Sequence, residues 1–177
     1  MNKDRIKLSA KEVALFGMLG ALMYASKIAL EFLPNVHLLG VFTISMTVVY
    51  RKKALYPIYT FVFLLGLFSG FSLWWIPHLY LWTILSAATL LLPRDMSKKK
   101  QRIVYMCLCS AHGFLYGTLY APSQALFFSL NFKQTIAWIA AGLPWDAVHG
   151  VSNFFCGLLI CPFISVLTRC EKYVYYD

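Results

Sequence analysis

Acid is scarce in this chain. Asp and Glu number 7 against 16 Lys and Arg in 177 residues, and charged residues of either sign make up only 13%. A soluble domain carries about a quarter, so an ordinary water-soluble globule is excluded. No GxxxxGK[ST] loop is there to cradle a nucleotide. No carboxylates are paired within one segment, and no Ser or Cys sits in a nucleophile motif. The five cysteines form no CxxC and fall mostly inside apolar runs, where a thiol acts as a small hydrophobe. Neither a disulfide, a metal nor another cofactor is expected. The inverted halves of many secondary carriers are also missing. The opening MNKDRIKLSAKE is short, polar and basic, and no cleavage site follows it, so no secretory leader is expected.

What the chain has in quantity is hydrocarbon. It is 60% hydrophobic with a mean hydropathy of +0.65. That composition predicts an all-α polytopic membrane protein forming one integral domain over 1–177. The apolar runs predict six spans, at about 13–33, 36–50, 54–71, 77–92, 103–121 and 146–167. The second is short, roughly 22 Å at helical rise. Pro122 is expected to interrupt the fifth, Asp146 to open the sixth, and 121–145 to form a partial helix capping the outer face.

The net charge of +9 is concentrated in a few places. Lys3, Arg5, Lys7 and Lys11 precede the first run; Arg51, Lys52 and Lys53 share one loop; Arg94, Lys98, Lys99, Lys100 and Arg102 share another; Arg169 and Lys172 follow the last. Only Lys27 and Lys133 lie elsewhere. This positive-inside pattern predicts both termini and both basic loops in the cytoplasm, facing anionic headgroups of the lipid bilayer. It gives no support to nucleic-acid binding.

The opposite face is predicted to gather the polar chemistry. Lys27 and Glu31 stand i, i+4 and can pair on one helix face. His37 opens the second span, His78 the fourth, and Asp146 and His149 the sixth. Trp74 and Trp75 precede the fourth span, Trp138 and Trp145 the sixth; Trp138 and Tyr80 read as interfacial belt residues. His112, mid-membrane beside Gly113 and Gly117, reads as a hydrogen-bonding partner of a neighbouring helix. Asp146, His149 and Asn153 follow i, i+3, i+7 spacing, which places them on one stripe. Asp146 alone is explained as a cap against the helix dipole. His149 and Asn153 extend the stripe a further turn or two into a layer where an ionisable group costs at least ~2.5 kcal/mol, and a cap needs neither. A polar stripe facing the bundle, walled by Trp74 and Trp75, suits an outward-opening ligand pocket. The candidate substrate residues are therefore Trp74, Trp75, His78, Trp145, Asp146, His149, Asn153, Glu31 and His37. On the first helix, Ala14, Gly17, Ala21 and Ala25 make a small-residue face of the kind that admits another helix closely in lipid.

With "EVALFGMLGAL", "LPNVHLLGVF", "RKKALYPIYTFVFLLGLFSGFSLWWIPHLYLW" and "PWDAVHGVSNFFCGLLICP" taken together, the chain resembles the S components of energy-coupling factor (ECF) vitamin transporters. The resemblance covers most of the chain. It implies a six-helix subunit of a bacterial cell membrane that captures a micronutrient from outside. It implies a membrane T component and two cytoplasmic ATPases as partners, docked through an AxxxA motif on the first helix. Here that motif is approximated by Gly17-xxx-Ala21, with literal Ala10-xxx-Ala14 and Ala21-xxx-Ala25 beside it. The resemblance also implies a ligand site in the outer loops and helices four to six. Lys27 is the one outer cation placed to face a pocket, so the expected ligand is a neutral or cationic heteroaromatic such as a nucleobase, nucleoside or amine vitamin. Two other readings stand beside this one: a proton-coupled carrier working alone, and an intramembrane enzyme using Asp146 and His149 as an acid/base pair.

Overall fold

A computed structural model describes residues 8–176. The cations expected at Lys3, Arg5 and Lys7 lie outside the described residues. The described chain is helical and contains no strand. Helix α1 (Ala10–Ala29) begins at a capping box: the Glu12 amide donates to Ser9 Oγ at 3.2 Å, and the Ser9 amide to the Glu12 carboxylate at 2.8 Å. Two orphan donors are thereby satisfied reciprocally. Helix α2 (Leu39–Tyr50) is apolar on every side, and all of it except Val48 is buried. A helix that is apolar all round belongs in the middle of a bundle.

The remaining helices wrap α2: α3 (Leu55–Ser69), α4 (His78–Leu91), α5 (Lys98–Phe114), α6 (Tyr116–Phe127), α7 (Phe132–Cys156) and α8 (Ile160–Tyr176). Their directions follow from paired contacts. Helices α1 and α3 run together, with Phe16 against Tyr56 and Tyr24 against Phe68. Helices α2 and α8 run together, joined by Ser45 to the Ile160 carbonyl and Tyr50 to the Leu167 carbonyl. Helices α5 and α7 run opposite, so that Met106 meets Gly157 while Gly113 meets Gly150. One end of the bundle collects the start of α1, residues 51–54 and the end of α8. There Lys53 pairs with Glu12 at 2.6 Å, and Lys11 reaches the Tyr173 carbonyl at 3.5 Å.

Among the described residues, three helical stretches are long and apolar enough to cross a membrane: Ala10–Ala29, Lys98–Phe127 and Phe132–Val174. The helix His78–Leu91 is apolar but shorter. The outer face of α7 and the turn after it presents Val148, Val151, Phe154, Phe155, Leu158 and Leu159, all exposed, as a surface meant for lipid does.

Several boundaries differ from those the sequence predicts. Pro122 does not interrupt α6, which runs through it; the break falls at Leu115, between α5 and α6. The last long helix does not open at Asp146. It opens at Asn131, whose side chain accepts from the Gln134 backbone amide at 3.0 Å while the Asn131 backbone amide donates to Gln134 Oε1 at 2.8 Å. Pro144 lies inside that helix, so the Pro-Trp-Asp stretch that resembles a helix start is a proline within one. Segment 121–145 is therefore the end of α6, a short turn and the first half of α7. Glu31 falls beyond the end of α1 at Ala29.

Candidate functional site

Three glycines set the site. A Cβ on Gly113 would lie 2.8 Å from both Gly150 Cα and the His149 carbonyl, so α5 and α7 touch backbone to backbone. Ser110 Oγ donates to the Gly150 carbonyl at 2.9 Å, and Asn153 Nδ2 to the Cys109 carbonyl at 3.3 Å. This is the small-residue contact through which helices associate in lipid. It turns the polar stripe of α7 fully inward: Asp146 is 6% exposed, His149 3% and Asn153 1%. Their neighbour Trp145 is 60% exposed and faces outward.

Asp146 has a definite partner. Both its carboxylate oxygens accept from the Gly117 amide, at 3.0 and 3.1 Å. Gly117 is the second residue of α6, so this amide is one of the four that a helix start leaves unpaired. Asp146 thus caps a helix, as its type suggests, but the helix is α6 and not its own. A carboxylate there also complements the positive end of the α6 dipole.

The inward stripe meets a group of buried and half-buried rings that includes all four histidines of the chain. The ring of His37, from the loop before α2, stands edge-on to His149 with centroids 4.4 Å apart. Tyr116, at the start of α6, lies 4.8 Å from His149 and 6.1 Å from His112. Its hydroxyl is 3.4 Å from His78 Nε2. Trp82 of α4 closes the far side, 5.5 Å from His112 and 6.0 Å from His37. Beyond Tyr116 the rings continue to Tyr120 and then to Trp138, which stacks on Tyr120 at 6.0 Å and 20°.

These rings carry most of the unspent polar capacity of the molecule. Among the described residues, seven buried side-chain nitrogen or oxygen atoms have no hydrogen-bond partner. Six belong here: His37 Nδ1, His78 Nδ1, Trp82 Nε1, His112 Nδ1, His149 Nε2 and Asn153 Oδ1. Each such atom costs about 1–3 kcal/mol when left unmade. Native proteins carry only a few of these, and seldom in one place. Among the described residues, no three His, Cys, Asp or Glu side chains are grouped to hold a metal ion.

The predicted site residues divide accordingly. His37, His78, His149 and Asn153 come together, Trp74 joins through its ring 5.5 Å from His78, and Asp146 adjoins through Gly117. Trp75 does not join: its indole N–H donates to the Val62 carbonyl at 2.7 Å and its ring packs on Phe71, which pins the 70–77 loop to α3. Glu31 remains exposed in an ion pair with Lys27 at 2.7 Å. His112 does bond a neighbouring helix, through Nε2 at 3.2 Å from the Leu81 carbonyl, yet its other nitrogen is one of the six. Trp82, Tyr116 and Tyr120 carry no sequence signal of their own, because only the packing of α4, α5 and α6 gathers them. On α1, Ala14, Ala21 and Ala25 are exposed, and a Cβ at Gly17 would meet nothing within 4 Å. Gly20 on the opposite side is filled by Thr60 and the Pro57 carbonyl.

Comparison with known protein families, with curated proteins and with solved structures finds no match.

Proposed function

We propose that this chain is the substrate-capture subunit of an energy-coupling-factor-type importer that takes up a heteroaromatic micronutrient. In this reading the bundle makes six membrane spans, with both termini and the basic loops on the cytoplasmic side of a bacterial cell membrane. The observation that carries the proposal is the set of six unpartnered buried polar atoms on the histidine group, Trp82 and the α7 stripe. A structural core would have replaced them with apolar groups or paired them; a ligand site keeps them for the ligand.

The chemistry of the set narrows the ligand. Imidazole, phenol and amide groups both donate and accept, an indole N–H donates, and flat rings provide stacking faces. No Lys or Arg belongs to the group, and Lys27 is engaged by Glu31. A polyanion therefore meets only Lys27, near His78 and already paired with Glu31, as counter-charge, whereas a neutral or cationic nitrogen heterocycle has hydrogen-bond partners at its edge and aromatic rings at its faces.

Energy would come from outside the chain, since it holds no nucleotide-binding loop. The open Ala14, Gly17, Ala21 and Ala25 face of α1 is the surface assigned to the T component, with two ATPases beyond it. Uptake measured in vesicles tests this directly. Accumulation of a heteroaromatic solute that needs the co-expressed T component and ATP is the expected result. Accumulation by the chain alone, driven by a proton gradient, would make it a solitary carrier.

A further inference from the structure

Away from the histidine group, at the basic end of the bundle, lies a second built feature. A cavity of about 740 Å³ opens where the ends of α2 and α4 meet α5 and α8. Four cations line it, Arg51, Lys52, Lys53 and Arg94, against one acid, Glu171. Lys53 is engaged by Glu12. Arg51 donates to the Leu90 carbonyl at 3.4 Å, which holds its guanidinium at the cavity wall. Its backbone sits at φ +55°, ψ −131°, a conformation that side chains with a Cβ rarely adopt and that concentrates at functional sites. Burial, and then the nearby Arg94 guanidinium, lower the proton affinity of Arg51. Like charges are thus held together on one wall, an arrangement that suits an anion between them.

The cavity does not end at the cations. A groove of about 530 Å³ shares Lys52 with it and runs along α3 past Leu55, Tyr56, Tyr59, Thr60 and Phe63. Tyr56, Tyr59 and Phe63 stand at i, i+3 and i+7 and are exposed, so they form one apolar strip roughly 10 Å long at helical rise. A free phosphate or a nucleotide has a use for the cationic wall and none for this strip. A molecule with an anionic head and a hydrocarbon tail uses both, and Lys52 marks where the two parts join.

We propose that the cavity and the groove form one binding site for an anionic phospholipid, its phosphate held by Arg51, Lys52 and Arg94 and one acyl chain laid along Tyr56, Tyr59 and Phe63. The inference requires that the bundle sit in a membrane, and it is independent of what the histidine group binds. It also differs from the general attraction of basic loops to a charged surface, because it assigns one lipid to one place.

Native mass spectrometry of the full chain in mild detergent tests it, with phosphatidylglycerol, phosphatidylcholine and inorganic phosphate added separately. A single phosphatidylglycerol adduct is expected, with phosphatidylcholine retained far less. The double variant Lys52→Ala, Arg94→Ala should weaken that adduct by about tenfold or more, the scale of a lost charge-assisted contact. Lys98→Ala, Lys99→Ala removes the same charge from positions that do not line the cavity and should leave the adduct unchanged. Circular dichroism of both variants checks that they fold. Equal retention of the two lipids, or equal loss in both double variants, overturns the proposal. Competition by inorganic phosphate alone at comparable concentration would also overturn it, by making the site one for a free anion.

Discussion

At the residue scale, Asp146 and Tyr116 separate holding the fold from holding a ligand. Asp146 already has its partner in the Gly117 amide, so its first duty is to start α6. Asp146→Ala should cost about 1–3 kcal/mol, the penalty for a buried amide left unpaired, and lower the thermal midpoint in detergent. Asp146→Asn keeps an acceptor and should recover most of the loss. Tyr116 is the reverse case. Its hydroxyl reaches only His78 Nε2, at a long 3.4 Å, so Tyr116→Phe should leave the melting midpoint nearly unchanged. Ligand affinity should fall about tenfold, as one hydrogen bond from a buried site does; a calorimetric titration of both proteins checks it. The inward stripe of Asp146, His149 and Asn153 is legible in the sequence, because helical spacing alone puts them on one face. Tyr116 and Trp82 are not. They reach the stripe from other helices, and nothing in "LYGTLYAP" or "LYLWTIL" records that encounter.

At the scale of elements, the contact between α5 and α7 decides whether the site exists. Gly113→Ala would press a methyl into backbone, 2.8 Å from Gly150 Cα, and backbone cannot turn aside as a side chain can. Helix separation should cost about 1–3 kcal/mol and loosen the ligand site with it. Gly17→Ala meets nothing within 4 Å and should raise stability by up to about 1 kcal/mol, because alanine loses less chain entropy in a helix; comparing the two melts tests whether the bundle has these two kinds of glycine. Helix starts were more legible than the expected span boundaries suggest. Ser9-x-x-Glu12 and Asn131-x-x-Gln134 both have the capping spacing, and both form. Pro144 masks the second signal: read alone, a proline before Trp-Asp resembles the first turn of a helix. The displaced start changes the meaning of Asp146 but not of its stripe, since both readings keep 146, 149 and 153 on one helical face.

At the scale of the whole molecule, the bundle has two ends with opposite chemistry. One holds four histidines with aromatic walls; the other holds basic residues with one acid in the cavity they line. Composition alone predicts this division, because charge clusters and apolar runs are visible without any packing. It does not predict which face of α1 is open. Small residues lie on two sides of that helix, and only the contact of Gly20 with Thr60 shows that the Gly20 side is used internally. Ala21→Trp should therefore leave folding and ligand affinity intact and abolish co-purification with a T component. Loss of ligand binding in that variant would place α1 in the ligand site instead.

The central claim is that the unpartnered polar atoms around Tyr116 are a ligand site. Mass spectrometry of the small molecules that stay with the purified protein tests it most directly, comparing wild type with a His149→Ala, Asn153→Ala variant of matched fold. The account predicts a nitrogen heterocycle in near-equal proportion to wild-type protein and its loss from the variant. The same molecule retained equally by both proteins, or a polyanion bound to the wild type and lost from the variant, would contradict it.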